Sequence, residues 1–287
     1  MPTLRDIKRR IGSVKNTRQI TKAMKMVAAA KLRKAQTKII EARPYANKMA
    51  SVLGSLALRA ERDVHPLLLK RPRKTVEVII LTGDRGLCGA FNSNIIRRGV
   101  EFIKKLRADG LDVNICTIGR KGRDYFKRRD IPLRKMWTGL SGRVSYFNAQ
   151  EIAQDIIDNY INETVDEVYL AYNEFRSVMV QRVTIMKLLP IEPIEETGET
   201  FWPDFIYEPS AGDIYDRLLP KHIEIQVFRA LLESQASEEA ARMTAMENAT
   251  KNSDEMIEKL TLQYNKARQA AITKELMDIV GGVEALK

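Results

Sequence analysis

From Leu4 to Leu58 the apolar positions step by threes and fours: Leu4, Ile7, Ile11 and Val14, then Ala28, Leu32, Ala35, Ile39, Ala42, Ala46, Met49, Leu53 and Leu56. Three polar residues, Arg18, Thr21 and Lys25, keep the same spacing in between. A sustained 3,4 alternation predicts a helix that supercoils with a partner. The segment is dense in Ala, Lys, Arg and Met, all strong helix formers. Pro44 fits one long helix only with a local kink. The alternation returns near the other end of the chain, over Met243, Met246, Thr250, Ser253, Ile257, Leu260, Tyr264, Ala267 and Ala271. After a one-residue phase change it continues as Ile272, Leu276, Ile279, Val283 and Leu286.

Between these helices the period changes. Thr75 to Leu81 reads as a buried strand, followed by the glycine-rich loop Gly83 to Gly89 and a helix from Asn92 to Arg107. A strand is expected over Asp112 to Ile118 and a short helix near Arg123 to Arg128. A further helix is expected over Ala149 to Tyr160, with apolar segments at Glu167 to Tyr172 and Val178 to Leu189. Strands alternating with helices imply a largely parallel sheet. Pro190 to Gly198 reads as an exposed loop, and Phe201 to Ser210 as an irregular packed segment.

The predicted fold is α/β: a long antiparallel coiled coil of N- and C-terminal helices plus a small Rossmann-like α/β domain. Its parts are a coil helix over 1–58, an α/β domain over 73–190, a loop segment over 191–210 and a second coil helix over 211–287. At 1.5 Å per residue the first helix is on the order of 80 Å long, and the last is longer by roughly 30 Å. The tip of the last helix then has no partner within the chain. It nevertheless carries Leu276, Ile279, Val283 and Leu286, an apolar stripe that implies burial against something else.

Composition adds charge to this outline. Among 287 residues the formal net charge is +11. Such a balance suits nucleic acid, an anionic membrane surface or an acidic protein. Position narrows the choice. Fourteen Lys and Arg between Arg5 and Lys48 face only Asp6 and Glu41, and Lys15, Arg18, Lys22 and Lys25 form one stripe. A solvated face is one reading of this stripe; contact with an acidic protein is the other. Nucleic acid fits less well, because Tyr45 is the only aromatic of the first helix, which therefore offers no stacking platform. The N-terminus has no apolar signal core and no apolar run approaches a membrane span, so neither secretion nor direct membrane insertion is expected.

Catalytic chemistry is poorly represented. The loop from Gly83 to Gly89 stands where phosphate-binding loops stand, but it lacks Gly-Lys-Ser/Thr and does not match G-x-G-x-x-G. A tight turn in which glycines permit positive φ accounts for its spacing equally well. The pairs Glu195-Glu196 and Glu238-Glu239 are expected as solvated charges. His65 and His222 have no metal-like spacing, and Cys88 and Cys116 read as buried thiols in a reducing compartment, although sequence leaves a disulfide open. No catalytic residue, metal or cofactor is expected.

Three blocks carry a family resemblance. They are Ile11-Gly12-Ser13-Val14-Lys15-Asn16-Thr17-Arg18-Gln19-Ile20-Thr21-Lys22-Ala23-Met24-Lys25-Met26-Val27-Ala28-Ala29-Ala30-Lys31, then Asp84-Arg85-Gly86-Leu87-Cys88-Gly89, and Ala236-Ser237-Glu238-Glu239-Ala240-Ala241-Arg242-Met243 with Tyr264-Asn265-Lys266-Ala267-Arg268-Gln269-Ala270-Ala271-Ile272-Thr273-Lys274-Glu275-Leu276. Together they resemble the gamma-subunit family of rotary F-type ATP synthases, and the likeness runs in order along the chain. One departure is Val283, where that family usually has Ala. No cysteine-bearing regulatory insert of the chloroplast form is evident, which points to the bacterial type.

The resemblance implies a non-catalytic rotor shaft that couples proton or sodium flow to ATP synthesis and regulates ATPase activity. Its partners would be the alpha and beta subunits of the catalytic hexamer, the epsilon subunit and the c-subunit rotor ring. The complex would lie peripherally on the cytoplasmic face of the bacterial inner membrane. By matching positions, Met24 with Lys22 and Lys25, and Arg268, Gln269 and Thr273, would meet the catalytic subunits. The competing reading is a basic coiled-coil nucleic-acid-binding protein; a third is a small α/β enzyme with helical arms.

Overall fold

A computed structural model describes residues 3–57, 65–191 and 211–284. Helix α1 spans Leu4–Ala57 and stays helical through Pro44; the final helix, α5, spans Ala211–Glu284 and stays helical through Pro220. The chain forms two compact units. One comprises Met1–Ala28 with Met243–Lys287, the other Ala29–Arg242. Both units therefore draw on both long helices.

The larger unit is organised by a sheet of five strands in the order β3-β2-β1-β4-β5. Strands β1 (Thr75–Leu81), β2 (Asp112–Ile118), β3 (Lys135–Trp137) and β4 (Glu167–Phe175) run parallel, and β5 (Gln181–Leu189) closes the edge antiparallel to β4. Helices α2 (Phe91–Ala108), α3 (Arg120–Lys127) and α4 (Tyr146–Ile161) connect the parallel strands. Central strand β1 is paired on both edges and covered on both faces, which is why it reads as a nearly unbroken apolar run. Val76, Val78 and Ile80 enter a core with Ile95, Ile103 and Phe126 of α2 and α3. Ile79 and Leu81 enter a second core with Ile152 and Ile156 of α4. This second core also takes Met49 from α1 and Leu219, Ile223, Val227 and Leu231 from α5. Gly99 lets α2 approach β1, since a Cβ there would stand 2.6 Å from Ile80 Cδ1.

Strands β1 and β2 have the bounds that periodicity predicts. Strand β3 goes unseen in the sequence because it has only three residues, headed by Lys135. Helix α4 starts before Ala149 because Ser145 caps it: its side chain accepts from Asn148 N, and Asn148 Oδ1 accepts from Ser145 N. Helix α3 starts at Arg120, earlier than predicted, with Gly119 before it at φ 98. The loop predicted over 191–210 lies outside the described residues apart from Ile191, and Glu195-Glu196 lies there with it.

Cys88 and Cys116 are buried free thiols. His222 is largely enclosed in the larger unit, and burial lowers its pKa from 6.5 to about 4. As pH falls, the unfolded chain therefore binds this proton before the folded one does. The contribution is complete above about pH 6.5 and is lost progressively towards pH 4, amounting to about 3 kcal/mol. Denaturant melts of the wild type should weaken across this window, and His222→Gln should flatten that limb of the stability profile.

Candidate partner-binding surfaces

In an open parallel sheet, ligands favour the crevice where successive crossovers leave a strand in opposite directions. Here the crevice lies beyond the C-terminal end of β1, where the loop from Gly83 to Gly89 begins. The chain fills it with its own side chains. Asp84 Oδ1 accepts from Arg120 N at 3.0 Å and Gly139 N at 3.1 Å, and Oδ2 accepts from Ser141 N at 3.0 Å. These backbone donors are the kind that could cradle a phosphate, and a carboxylate of the chain already holds them. Asn92 staples the loop by accepting from Gly83 N at 2.8 Å and donating to Arg85 O at 3.3 Å.

Helix α5 brings a second group of charges to the same place. Glu238 and Glu239 are 4% and 3% exposed, so they are not the solvated pair that the sequence suggests. Arg242, 8% exposed, reaches Glu238 at 2.5 Å and Glu239 at 2.9 Å. Burial alone would lower the Arg242 pKa; the two carboxylates more than offset it, and the pKa is raised. Ser141 Oγ donates to Glu238 at 3.0 Å, and Lys31 Nζ lies 3.9 Å from Glu239. Gly83 is explained by this contact, since a Cβ there would stand 2.8 Å from Glu238 Oε1. Its φ is not positive. In this loop the left-handed residues are Gly89 and, unexpectedly, Leu87.

In the smaller unit α1 and α5 pair antiparallel. Arg18 meets Asp254 at 2.9 Å, Thr21 Oγ1 meets Thr250 Oγ1 at 2.8 Å, and Lys25 meets Glu247 at 3.0 Å. Each step up α1 is thus a step down α5. The seam positions Ile7, Thr21 and Ala28 are buried, as are Met246 and Ser253 on the facing helix. Continuing this register, Leu4, where α1 begins, comes level with the turn at Ala267 and Arg268. Beyond it Ile272, Leu276 and Ile279 are 50%, 57% and 65% exposed. Nothing is described of the side chain of Val283, and Leu286 lies outside the described residues. Arg268, Gln269 and Thr273 are exposed, with Thr273 Oγ1 donating to the Gln269 carbonyl at 3.0 Å.

Comparison with known proteins follows the same outline. The family described as ATP synthase matches residues 3–286. The ATP synthase gamma chain of Geobacter metallireducens is 53% identical over 287 residues, covering all of both chains. That of Anaeromyxobacter sp. strain Fw109-5 is 54% identical over 291 residues, again with full coverage. The chain belongs to the ATP synthase gamma family.

Among solved structures, a chain from the central stalk and c-ring of Tetrahymena thermophila mitochondrial ATP synthase is 28% identical. Its TM-score is 0.59, over 80% of this chain and 99% of that one. A chain from an OSCP, F1 and c-ring assembly of Euglena gracilis mitochondrial ATP synthase shares the fold. It has a TM-score of 0.67 at 22% identity and covers 99% of this chain and 94% of that one. The nucleic-acid alternative has no support among these relatives. No helix of this gamma-family chain is long and apolar enough to cross a membrane among the described residues, nor do His, Cys, Asp and Glu gather there as a metal site requires.

The basic stripe divides in two. Arg18 and Lys25 are engaged across the coil by Asp254 and Glu247, so the polar interruption of the seam has an internal partner. Both side chains nevertheless keep about two fifths of their surface exposed, at 41% and 39%. Lys15 and Lys22 remain exposed, while Met24 is half-buried. Other exposed apolar residues were missed by the seam analysis: Ile20, Met26 and Val27 on α1, and Met256 and Leu262 on α5. Their signal was available, since they are large apolar residues standing off the 3,4 positions of a helix otherwise rich in Lys, Arg and Ala.

Removing Arg242 would strand two buried carboxylates, and breaking a buried pair in this way costs about 3–5 kcal/mol. Arg242→Met should lower the stability of the chain in denaturant melts by an amount of that order. Adding Glu239→Gln to Arg242→Met should recover part of the loss.

Proposed function

We propose that this chain is the central rotor shaft of an F-type ATP synthase, coupling ion flow through a membrane rotor ring to ATP synthesis on other subunits. Family membership along the whole chain supports the assembly. The observation that carries the mechanical role is the apolar stripe of α5, which continues past the point where α1 begins. Ile272, Leu276 and Ile279 have no seam partner there among the described residues, and a collar formed by alpha and beta subunits would cover them. In the sequence, Val283 and Leu286 keep the same spacing. Met24, Lys15, Lys22, Arg268, Gln269 and Thr273 would face the catalytic subunits. The α/β domain over 73–190 would bind the epsilon subunit and the c-subunit ring. The complex would be peripheral to the cytoplasmic face of the bacterial inner membrane.

A shaft needs stiffness and an uneven surface rather than reacting groups. The antiparallel coil supplies the first. The second comes from exposed charges such as Lys15 and Lys22 and exposed apolar residues such as Ile20 and Val27 on one helix. Surface charge pairs contribute only ~0.2–1 kcal/mol each, which suits contacts that release and re-form during rotation. Nucleotide chemistry would lie on the partner subunits; at the crevice beyond β1 the backbone donors that could take a phosphate are held by Asp84. Rotation driven by the ring would turn the shaft against the alpha and beta subunits, and hydrolysis would drive the reverse; by resisting that reverse, the shaft would also regulate ATPase activity.

Two measurements test this. Calorimetric titration of the isolated chain with Mg-ATP should give no heat of binding; clear micromolar affinity would overturn the non-catalytic reading. In reconstituted vesicles, Lys15→Glu with Lys22→Glu should leave the fold intact and lower ion pumping per ATP hydrolysed at low salt. The deficit should shrink at high salt as the reversed charges are screened. Wild-type coupling at both salt levels would make the stripe a solvated face only.

A further inference from the structure

The outer faces of α2 and α3, in the larger unit, enclose an open groove of about 670 Å³. Ile96, Val100 and Tyr125 contribute its apolar part, and Lys104, Lys121 and Arg128 its charged part. Two carboxylates also line it, but each has a cation of its own. Glu101 is paired with Arg98 at 3.1 Å, and Asp124 with Arg123 at 2.8 Å. Lys104, Lys121 and Arg128 are exposed and have no carboxylate within ion-pair distance among the described residues. The groove therefore presents an excess of positive charge around an apolar floor.

We propose that this groove is a docking site for an acidic polypeptide segment that carries one or two apolar side chains. Charge complementarity selects the acidic character. The shape selects a peptide: a furrow between two helices accepts an amphipathic segment laid along it, with its apolar residues down and its charges to the rim. Nucleic acid is disfavoured because the only aromatic ring lining the furrow is already covered. The Arg129 guanidinium stacks on Tyr125 at 3.8 Å, and Phe126 packs edge-on against the same ring. A membrane is disfavoured because the apolar residues line a concave floor, whereas interfacial helices bury a convex apolar face in lipid. The proposal does not depend on the rotor reading, so either can fail without the other.

The full-length chain should be titrated with a fluorescein-labelled peptide of alternating Glu-Glu-Leu triplets, followed by anisotropy at low and high salt. Binding should weaken as salt rises. It should be at least tenfold weaker in Lys104→Glu with Arg128→Glu, weaker by a smaller factor in Lys104→Gln with Arg128→Gln, and unchanged in Lys259→Glu. All the substituted positions are exposed, and matching thermal melts would show that the fold is kept. Absence of binding at low salt would overturn the proposal. So would binding that is insensitive to the groove substitutions. Duplex DNA or phosphatidylserine vesicles that bind through Lys104 and Arg128 more tightly than the peptide would also overturn it.

Discussion

The pairing of α1 with α5 through a 3,4 seam is the contact on which the other features rest. It places the polar positions of the two helices opposite one another. Thr21 meets Thr250 in a partly buried hydrogen bond, with an ion pair on either side, Arg18 with Asp254 and Lys25 with Glu247. A polar layer in an apolar seam disfavours slipped alignments, because a shift would bury each hydroxyl against carbon. The same register decides where α1 runs out, and hence which residues of α5 are left uncovered. Exposure at Leu276 and Ile279 is thus a consequence of alignment and length together.

Helix α5 meets two different requirements along one continuous element. In the larger unit its Lys221-to-Arg242 stretch is surrounded, and residues all round the helix are buried, including Ala230, Leu231, Leu232, Ala236 and Ala240. In the smaller unit only one face is covered. The charge of α5 follows this division. Where it is surrounded, Glu238 and Glu239 share Arg242 at short range, with Lys31 3.9 Å from Glu239; where it is half open, its charges pair across the coil or meet water. A buried charge set of this kind adds little net stability over an apolar core, but it penalises any arrangement that separates its members. It holds α5 against the loop that follows β1.

That loop explains how a Rossmann-like sheet serves as scaffold. The backbone donors that a nucleotide-binding relative would turn towards phosphate are satisfied by Asp84, and Glu238 occupies the space above Gly83. The glycine-rich sequence is shared with phosphate-binding loops because both require close approach at the end of a strand. What approaches differs: a carboxylate on the chain's own helix rather than a ligand.

Much was legible in the sequence because periodicity reports which side of an element is covered. The 3,4 seam marked both long helices and the unpartnered stripe at Leu276 and Ile279, and a nearly unbroken apolar run over Thr75 to Leu81 marked a strand buried on both faces. Family membership was legible too, in blocks such as Ile11 to Lys25. Only tertiary structure decided the state of individual charges. Lys15, Arg18, Lys22 and Lys25 look alike in the sequence, yet Arg18 and Lys25 are paired and Lys15 and Lys22 are exposed. Glu238 and Glu239 read as a wet pair and are buried. The reason is physical. Apolar burial is set by a pattern along one helix, whereas the fate of a charge depends on which opposite charge the fold brings within about 4 Å, often from residues far away in the chain.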